Sequence, residues 1–303
     1  MKKILAFLAV GLLISACQPV DFNQKPPVFD TGIDPNQWAY VPEGEFLQGQ
    51  FNKEASLDHG FEMMVTPVTV TQYAEYLNEA LAEGTIKIVD HQIVGYYQGE
   101  PFYSWRHEEE FPPGDYIHIP LDEEFLRLKY DGEKFSAQEG WENHPMTVVS
   151  WFGASAYCDY YGWRLPTELE WEKAARGTDG RAFPWGNEIE RNFANYYFSR
   201  DPFENMKTFG SRTTPVGFYN GKVYDGYVTY DSASPYGIYD MAGNVWQWMA
   251  DDYDAQHYRY MRGGSKDVYE MNLRTWARNN ATPTFTSPGT GFRCVRDGSQ
   301  DQE

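Results

Sequence analysis

The chain has 303 residues, and its 44 acidic against 25 basic side chains give a formal net charge of −19. This balance excludes a nucleic-acid-binding class, because an acidic surface repels phosphate groups; simple solubility is the alternative explanation for the charge. Ten Trp, 23 Tyr and 19 Phe supply enough apolar side-chain surface for a sizeable core.

The first 17 residues have the pattern of a secretory signal. Lys2 and Lys3 precede an apolar stretch, Ile4–Ile14, that is short for a membrane span. The stretch ends in Ile-Ser-Ala-Cys17, which resembles a bacterial lipobox and implies lipid attachment at Cys17; an ordinary signal peptide with a chance cysteine is the alternative. Since Gln18 replaces the Asp of inner-membrane retention, we expect a lipid-anchored protein of the bacterial cell envelope, at the outer membrane or cell surface.

The mature chain divides into a tether and one domain. Residues 18–37 are polar and proline-bearing, which predicts a tether. Residues 38–298 contain no low-complexity break or repeat and predict a single domain, with an insertion at about 90–140 and a short tail at 299–303. His107 lies beside three glutamates in that insertion, and such a charge run is typical of a solvated loop.

Three segments carry the start and stop signals of helices. They are Tyr73–Leu81 after the capping box Thr69–Gln72 and before Gly84, Trp151–Tyr161 after Ser150 and before Gly162, and Glu168–Ala175 after Thr167 and before Gly177. Short alternating segments such as Phe61–Val70 predict strands, and the remainder is rich in turn residues. A loop-rich domain of this kind needs further constraints, such as a disulfide or bound cations.

Cysteine usage supplies one such constraint. With Cys17 assigned to the lipid, Cys158 and Cys294 are the remaining pair. An exported protein can form and keep a disulfide, so we predict this bridge; two buried thiols are the alternative.

Several motifs in order resemble the formylglycine-generating enzyme (sulfatase-modifying factor) family over about Val41–Asp297. They are Val41–Gly49, Pro67–Tyr73, His144–Trp151, Arg164–Glu172, Phe183–Gly186, Thr214–Gly217, Tyr236–Trp248, Arg262–Ser265 and Gly291–Cys294. The resemblance implies an α+β, loop-rich mixed fold of the formylglycine-generating enzyme type, a C-type-lectin-like variant with few helices and short strands. It also implies that Cys158 and Cys294 are paired.

In that family, the turn beginning at Asp240 wraps a calcium ion. The implied ligands are the side chain of Asp240, the carbonyls of Gly243 and Val245, and the side chain of Gln247. Hard oxygens from a tight turn suit calcium, which takes six to eight of them at about 2.3–2.6 Å. A metal-free turn held by hydrogen bonds is the alternative.

A second family calcium site would begin at the side chain of Asn195 and the carbonyl of Tyr196. Its later aspartate falls near Thr208 in this chain, so the resemblance supports this site less strongly.

The oxidases of the family hold copper(I) between two cysteines shortly after Arg-Gly-Gly-Ser. Here residues 266–293 contain no cysteine, and Met271 alone cannot make a two-sulfur site. We therefore expect no copper and no copper-dependent oxidation of a substrate cysteine. The six histidines also lack the i, i+4 spacing of a helical metal site.

What remains is a surface around Ser265, which the resemblance places at the floor of the active site. Lys266, Tyr269, Arg274 and Trp276 complete a candidate groove whose aromatics and cations suit a peptide, protein or glycan. For the neighbouring Trp246, Trp248 and Arg278, core packing and buried ion pairs are the alternative.

We therefore expect a membrane-anchored, non-catalytic domain that binds a peptide, protein or glycan at the cell envelope. The alternative is a formylglycine-generating-type oxidoreductase, or another non-haem metalloenzyme with ligands that the sequence does not reveal. A lectin function would rest on analogy of fold alone.

Overall fold

The computed structural model describes residues 25–100, 111–204, 212–253 and 258–298. Within these ranges the helices are α1 (Val70–Glu83), α2 (Trp151–Tyr160) and α3 (Glu168–Arg176). The strands are β1 (Trp38–Val41), β2 (Gly44–Gln48), β3 (Lys53–Leu57), β4 (Phe61–Met64), β5 (Ile86–Val89), β6 (Gln92–Tyr97), β7 (Gly114–Pro120), β8 (Leu128–Tyr130), β9 (Phe135–Ala137), β10 (Val223–Tyr224), β11 (Tyr227–Val228), β12 (Trp246–Tyr253), β13 (Tyr258–Arg262), β14 (Arg278–Ala281), β15 (Thr290–Gly291) and β16 (Val295–Asp297). The predicted mixed α+β fold with few helices and short strands is confirmed.

Four predictions fall on residues outside these ranges. They concern the lipobox with Cys17, the role of His107, the second calcium site's position near Thr208, and the tail at 299–303. None of the helices in the described part of the chain is both long enough and apolar enough to span a bilayer.

The helices begin where the local capping signals predict. Thr69 accepts from the backbone N–H of Gln72, whose side chain returns to Thr69, and Thr167 forms the same capping box with Glu170. The Ser150 hydroxyl accepts from the N–H of Gly153 at the start of α2. The α1 and α3 helices end at Gly84 and Gly177, both with positive φ.

The strand predicted over Phe61–Val70 is shorter in the structure. β4 ends at Met64, between β1 and β16 in a three-stranded sheet. The chain cannot continue as a strand because Pro67 has no N–H to donate and Thr69 already caps α1.

The later part of the predicted tether packs against the domain. The Phe29 ring lies 5.8 Å from that of Phe203 and 5.3 Å from that of Tyr224, and the Thr31 carbonyl accepts from Asn220 and Lys222. Pro26 is also buried and Lys25 pairs with Glu139, so the segment from Lys25 onward is part of the folded body.

The main core lies between α1, α2 and the strand β12. Tyr73 of α1 stacks on Tyr157 of α2 with ring centroids 5.5 Å apart, and Phe292 packs edge-on against both. The predicted disulfide joins Cys158 and Cys294 inside this core, where both residues are fully buried.

A second core surrounds α3, and it contains charges. Arg262 contacts Glu168 at 2.8 Å and Glu172 at 2.7 Å, and Glu172 also contacts Arg176 at 2.8 Å. Arg262 and Arg176 are fully buried. Breaking a buried ion pair of this kind leaves an uncompensated charge and typically costs about 3–5 kcal/mol.

Glu170 is the other buried carboxylate of α3. It accepts from Arg164 through two nitrogens, from His59 and from the backbone N–H of Thr167. Burial alone would raise the pKa of Glu170, but these hydrogen bonds outweigh it and lower that pKa to about 2. The same contact, with one from Asp58, raises the pKa of His59.

Loss of the disulfide should destabilise the domain strongly. The bridge spans 136 residues, and a closed loop of that length contributes about 4–5 kcal/mol through the entropy of the unfolded chain. We expect Cys158→Ala/Cys294→Ala to lower the free energy of unfolding, measured by denaturant titration, by at least that order. Free thiols titrated at these positions in the denatured, unreduced protein would contradict the bridge.

Acid should unfold the protein partly through Glu170. Its depressed pKa contributes stability that is present above the unfolded value near 4.5 and is lost as pH falls towards about 2. We expect Glu170→Gln to remove roughly 3 kcal/mol of this pH-dependent stability, measured as unfolding free energy between about pH 6 and pH 2. Glu54→Gln, at an exposed position, is the control; equal pH profiles for the two variants would disprove the assignment.

Candidate functional site

A cleft of about 300 Å³ opens beside the four-stranded sheet. The sheet order is β14-β13-β12-β15, and all four strands and the loops around them supply the walls. The lining residues are Trp246 and Met261 from the central strands, Ser265, Asp267 and Val268 from the loop after β13, Asn279, Asn280 and Ala281 from β14, and Phe285, Ser287, Gly289 and Thr290 from the segment before and at the start of β15.

The Arg-Gly-Gly-Ser turn positions Ser265 in this cleft. Gly263 and Gly264 both have positive φ, and a Cβ on Gly264 would lie 2.8 Å from the carbonyl oxygen of Asn272. Arg262 anchors the start of the turn through its buried contacts with α3. The turn is therefore held rigidly, and Ser265 is only 2% exposed.

The other predicted groove residues do not line the cleft that contains Ser265. Lys266 is buried and contacts Asp267, while the ring of Trp276 lies 5.3 Å from the guanidinium of Arg176 and 5.8 Å from that of Arg274. None of Lys266, Arg274 and Trp276 lines the cleft.

Tyr269 also lies outside the cleft lining, in an exposed aromatic patch. Its ring is 5.0 Å from that of Tyr197 and 5.5 Å from that of Phe198, and all three side chains are between 43% and 50% exposed. The patch follows Val268 directly in the chain, so it adjoins one end of the cleft.

The two tryptophans of the Trp-Gln-Trp run differ in role. Trp248 is fully buried and donates to the Val149 carbonyl, as expected for a core residue. Trp246 is also buried but contributes to the cleft wall. Arg278 is 44% exposed at its side chain and contacts Glu168 at 3.1 Å.

Sequence reasoning missed the far wall of the cleft. Phe285, Ser287 and Thr290 carry no motif of their own. They reach the cleft because β15 pairs in parallel with β12, placing Thr290 opposite Trp246. Only that pairing, which spans more than forty residues, could have identified them.

Two of the side chains predicted as calcium ligands in the turn at Asp240 are engaged in hydrogen bonds. The side-chain oxygen of Gln247 accepts from Trp171 at 3.0 Å and from Arg293 at 2.7 Å, and its nitrogen donates to the Asp240 carbonyl at 2.7 Å. Asp240 itself accepts from the N–H of Gly217 at 2.7 Å. The turn is thus held by hydrogen bonds, and Gln247 does not fit as a ligand. Gly243 and Val245, the other two predicted positions, lie two residues apart in the same turn, where the N–H of Val245 donates to the Gly243 carbonyl.

The second predicted calcium position fits better. Asn195 is 1% exposed, and its side-chain nitrogen donates to the Arg212 carbonyl. Its side-chain oxygen is buried and has no hydrogen-bond partner among the described residues, which suits a cation or a water. The Tyr196 carbonyl, the other predicted ligand, accepts from the N–H of Ser199 at 2.9 Å.

The positions of the three cysteines bear on whether the cleft could hold copper between two thiolates. Cys158 and Cys294 are joined to each other in the core, and the third cysteine of the chain is Cys17. The residues present therefore do not fit a two-thiolate copper site. Across the described ranges, no three His, Cys, Asp or Glu side chains are grouped so as to hold a metal ion.

Comparison with curated proteins finds relatives of several kinds. The chain is 29% identical over 285 residues to the mouse protein "Inactive C-alpha-formylglycine-generating enzyme 2", covering 88% of this chain and 87% of that one. It is 28% identical over 295 residues to the formylglycine-generating enzyme of Thermomonospora curvata, with 85% and 92% covered. It is 28% identical over 293 residues to serine/threonine-protein kinase pkn1 of Chlamydia caviae, but spans only 38% of that protein.

Two solved structures share the fold. The structure of PvdO from Pseudomonas aeruginosa matches with a TM-score of 0.56 at 19% identity, covering 90% of this chain and 99% of that one. CarF matches with a TM-score of 0.54 at 22% identity, covering 87% and 98%. At these identities the likeness concerns the fold alone.

A profile of the sulfatase-modifying factor enzyme 1-like domain matches residues 29–298, which begins at the packed Phe29 and includes the cleft and the disulfide. Since this match takes in most of the chain, the protein belongs to the sulfatase-modifying factor enzyme 1-like, or formylglycine-generating enzyme-like, domain family.

Proposed function

We propose that this protein is a lipid-anchored binding domain of the bacterial cell envelope that does not generate formylglycine. The observation that carries the proposal is the cleft at Ser265, which keeps the rigid Gly-Gly turn and is lined by hydroxyls, amides and aromatics instead of thiols. Such a surface binds a ligand without offering it a redox partner. The name of the mouse relative, an inactive enzyme of the family, supports the same conclusion.

The ligand that this cleft suits best is an extended peptide segment of another protein. β14 forms one wall, and it is an edge strand with no partner on its outer side in the described part of the chain. An edge strand offers backbone donors and acceptors to an added strand, and neighbouring pockets then select its side chains. The exposed rings of Tyr197, Phe198 and Tyr269 would extend the contact beyond the cleft. A glycan is the second candidate, because the same rings can stack on sugars.

Calcium is proposed as a structural ion at Asn195. Its unpartnered oxygen and the Tyr196 carbonyl would contribute oxygen ligands, in a loop that is joined to the turn at Asn244 by the hydrogen bond from the Asn244 N–H to the Asn195 carbonyl.

Photocrosslinking from inside the cleft tests the ligand proposal. Phe285, which lines the cleft and is 42% exposed, is replaced by p-benzoylphenylalanine in cells that make the full chain. We expect discrete adducts in which mass spectrometry finds peptides of a second protein and whose size a glycosidase does not change. Asn279→Ala/Asn280→Ala should weaken them several-fold, because two polar groups of the β14 wall are lost.

The matched control carries the same photoreactive residue at Phe51, which is 90% exposed outside the cleft. Identical adducts from both positions, or none from Phe285, would refute the cleft as a binding site. Adducts that a glycosidase shortens and that contain no peptide of a second protein would replace the peptide ligand by a glycan.

Metal analysis distinguishes the proposed calcium-stabilised binding domain from the alternative, a metalloenzyme. In purified protein with Cys17→Ser, we expect calcium that stabilises the fold, so that a chelator lowers the unfolding temperature of this protein. Asn195→Leu should be less stable and should no longer respond to the chelator. Stoichiometric copper or iron, together with oxygen consumption, would instead support the oxidoreductase.

A further inference from the structure

A second cavity, of about 300 Å³, lies apart from the Ser265 cleft. It is enclosed by the β6–β7 hairpin, the C-terminal half of α2 and the chain that follows α1. Its walls are aromatic, with Tyr76, Tyr96, Tyr97, Phe152 and Tyr160 among the lining residues. We call this cavity the tyrosine pocket; no part of the proposed function uses it.

A distortion of the hairpin directs one imidazole to the wall of this pocket. In the β6–β7 pairing, Ile93 faces Ile119 and Val94 faces Ile117, so His118 is an extra residue without a partner across the strands. Such bulges turn a side chain away from its regular direction. The ring of His118 lies over Gly95, where a Cβ would be only 2.4 Å from Cε1, so any other residue at position 95 would displace it.

The imidazole of His118 is buried although its hydrogen-bonding capacity is not fully used. The residue is 3% exposed, and Nδ1 has no hydrogen-bond partner among the described residues. Burial lowers the pKa of His118 to about 4, so the imidazole is neutral at physiological pH. A buried neutral ring with a free nitrogen in a pocket wall is suited to bond a ligand.

The charge in the pocket lining is negative, and the nearby Arg259, which acts on Tyr97, is paired with Glu100 and Asp252. Asp159, in the last turn of α2, is the one charged side chain among the described residues that line the pocket, and Ser155 donates to it at 3.3 Å. The C-terminal end of α1 adjoins the pocket through Thr85 and Ile86, and neither helix has a basic residue in its last turn. Two negative helix ends and a carboxylate favour a cation.

From these observations we infer that the tyrosine pocket binds a primary ammonium group on a short aliphatic chain. The tyrosine faces and Asp159 attract the cation, and the neutral imidazole of His118 accepts one of its N–H bonds. A free alkylamine and the lysine side chain of a protein share this chemistry.

Titration of histidine-labelled protein tests the inference. The full chain has six histidines, so its ¹⁵N-imidazole spectrum is simple enough to follow the His118 signal, assigned with His118→Gln. The probes are n-butylammonium, acetyl-lysine-methylamide (acetylated at the α-nitrogen, so that the side-chain ammonium is free) and the neutral 1-pentanol. We expect both ammonium probes to shift the His118 signal with saturation and 1-pentanol to bind at least about tenfold more weakly.

Two carboxylate variants locate the cation. Asp159→Asn should weaken n-butylammonium binding several-fold and leave 1-pentanol unchanged, whereas Asp225→Asn, in the exposed turn between β10 and β11, should change neither. If Asp159→Asn fails to fold, Ser155→Ala serves in its place, because it removes the hydrogen bond that positions the carboxylate.

The outcomes decide the inference in either direction. Saturable shifts with n-butylammonium alone would assign a free amine, and shifts with acetyl-lysine-methylamide as well would assign a lysine side chain. No shift of the His118 signal with either ammonium, or equal affinity for 1-pentanol, would overturn the proposal.

Discussion

The buried ion pairs of α3 are the constraint on which the rest of the structure depends. Glu168 and Glu172 project from one short helix to Arg262, which also donates to the carbonyls of Thr275 and Ala277. One guanidinium therefore fixes the end of β13, the beginning of the Gly-Gly turn and the chain that leads to β14. Because these charges are buried away from water, a change in their geometry would leave them unpaired at a large cost in free energy. The wall of the cleft that they hold is therefore rigid.

Arg293 is a second buried arginine that joins several segments of the chain. This fully buried side chain donates to Gln247 and to the carbonyls of Met64, Val65, Tyr239 and Asp240. It joins β4, the Asp240 turn and β12 next to the disulfide at Cys294. In a domain with so little regular structure, these multidentate arginines replace the backbone ladders that hold larger sheets together.

Features that depend on local sequence signals were predicted correctly, whereas features that depend on pairing between distant segments were not. The capping boxes at Thr69 and Thr167 fix helix starts through hydrogen bonds within four residues, so the sequence alone indicates them. The disulfide followed from the small number of cysteines. The far wall of the cleft and the use of the Gln247 oxygen depend on partners 40 to 80 residues away, at Gly291, Arg293 and Trp171, which no local pattern reveals. The bulge at His118 was also invisible, because nothing in an alternating strand marks where its register shifts.

The docking of Phe29 bears on the proposed lipid anchor, because it limits the distance that a lipid at Cys17 could put between the bilayer and the folded domain. The packed segment starts before this ring, since Pro26 is buried and Lys25 forms an ion pair with Glu139. If Cys17 carries the proposed lipid, only residues 18–24 lie between it and the packed segment, and they span at most about 23 Å. Under that proposal the domain would stay close to the bilayer, and its partners would have to reach it there.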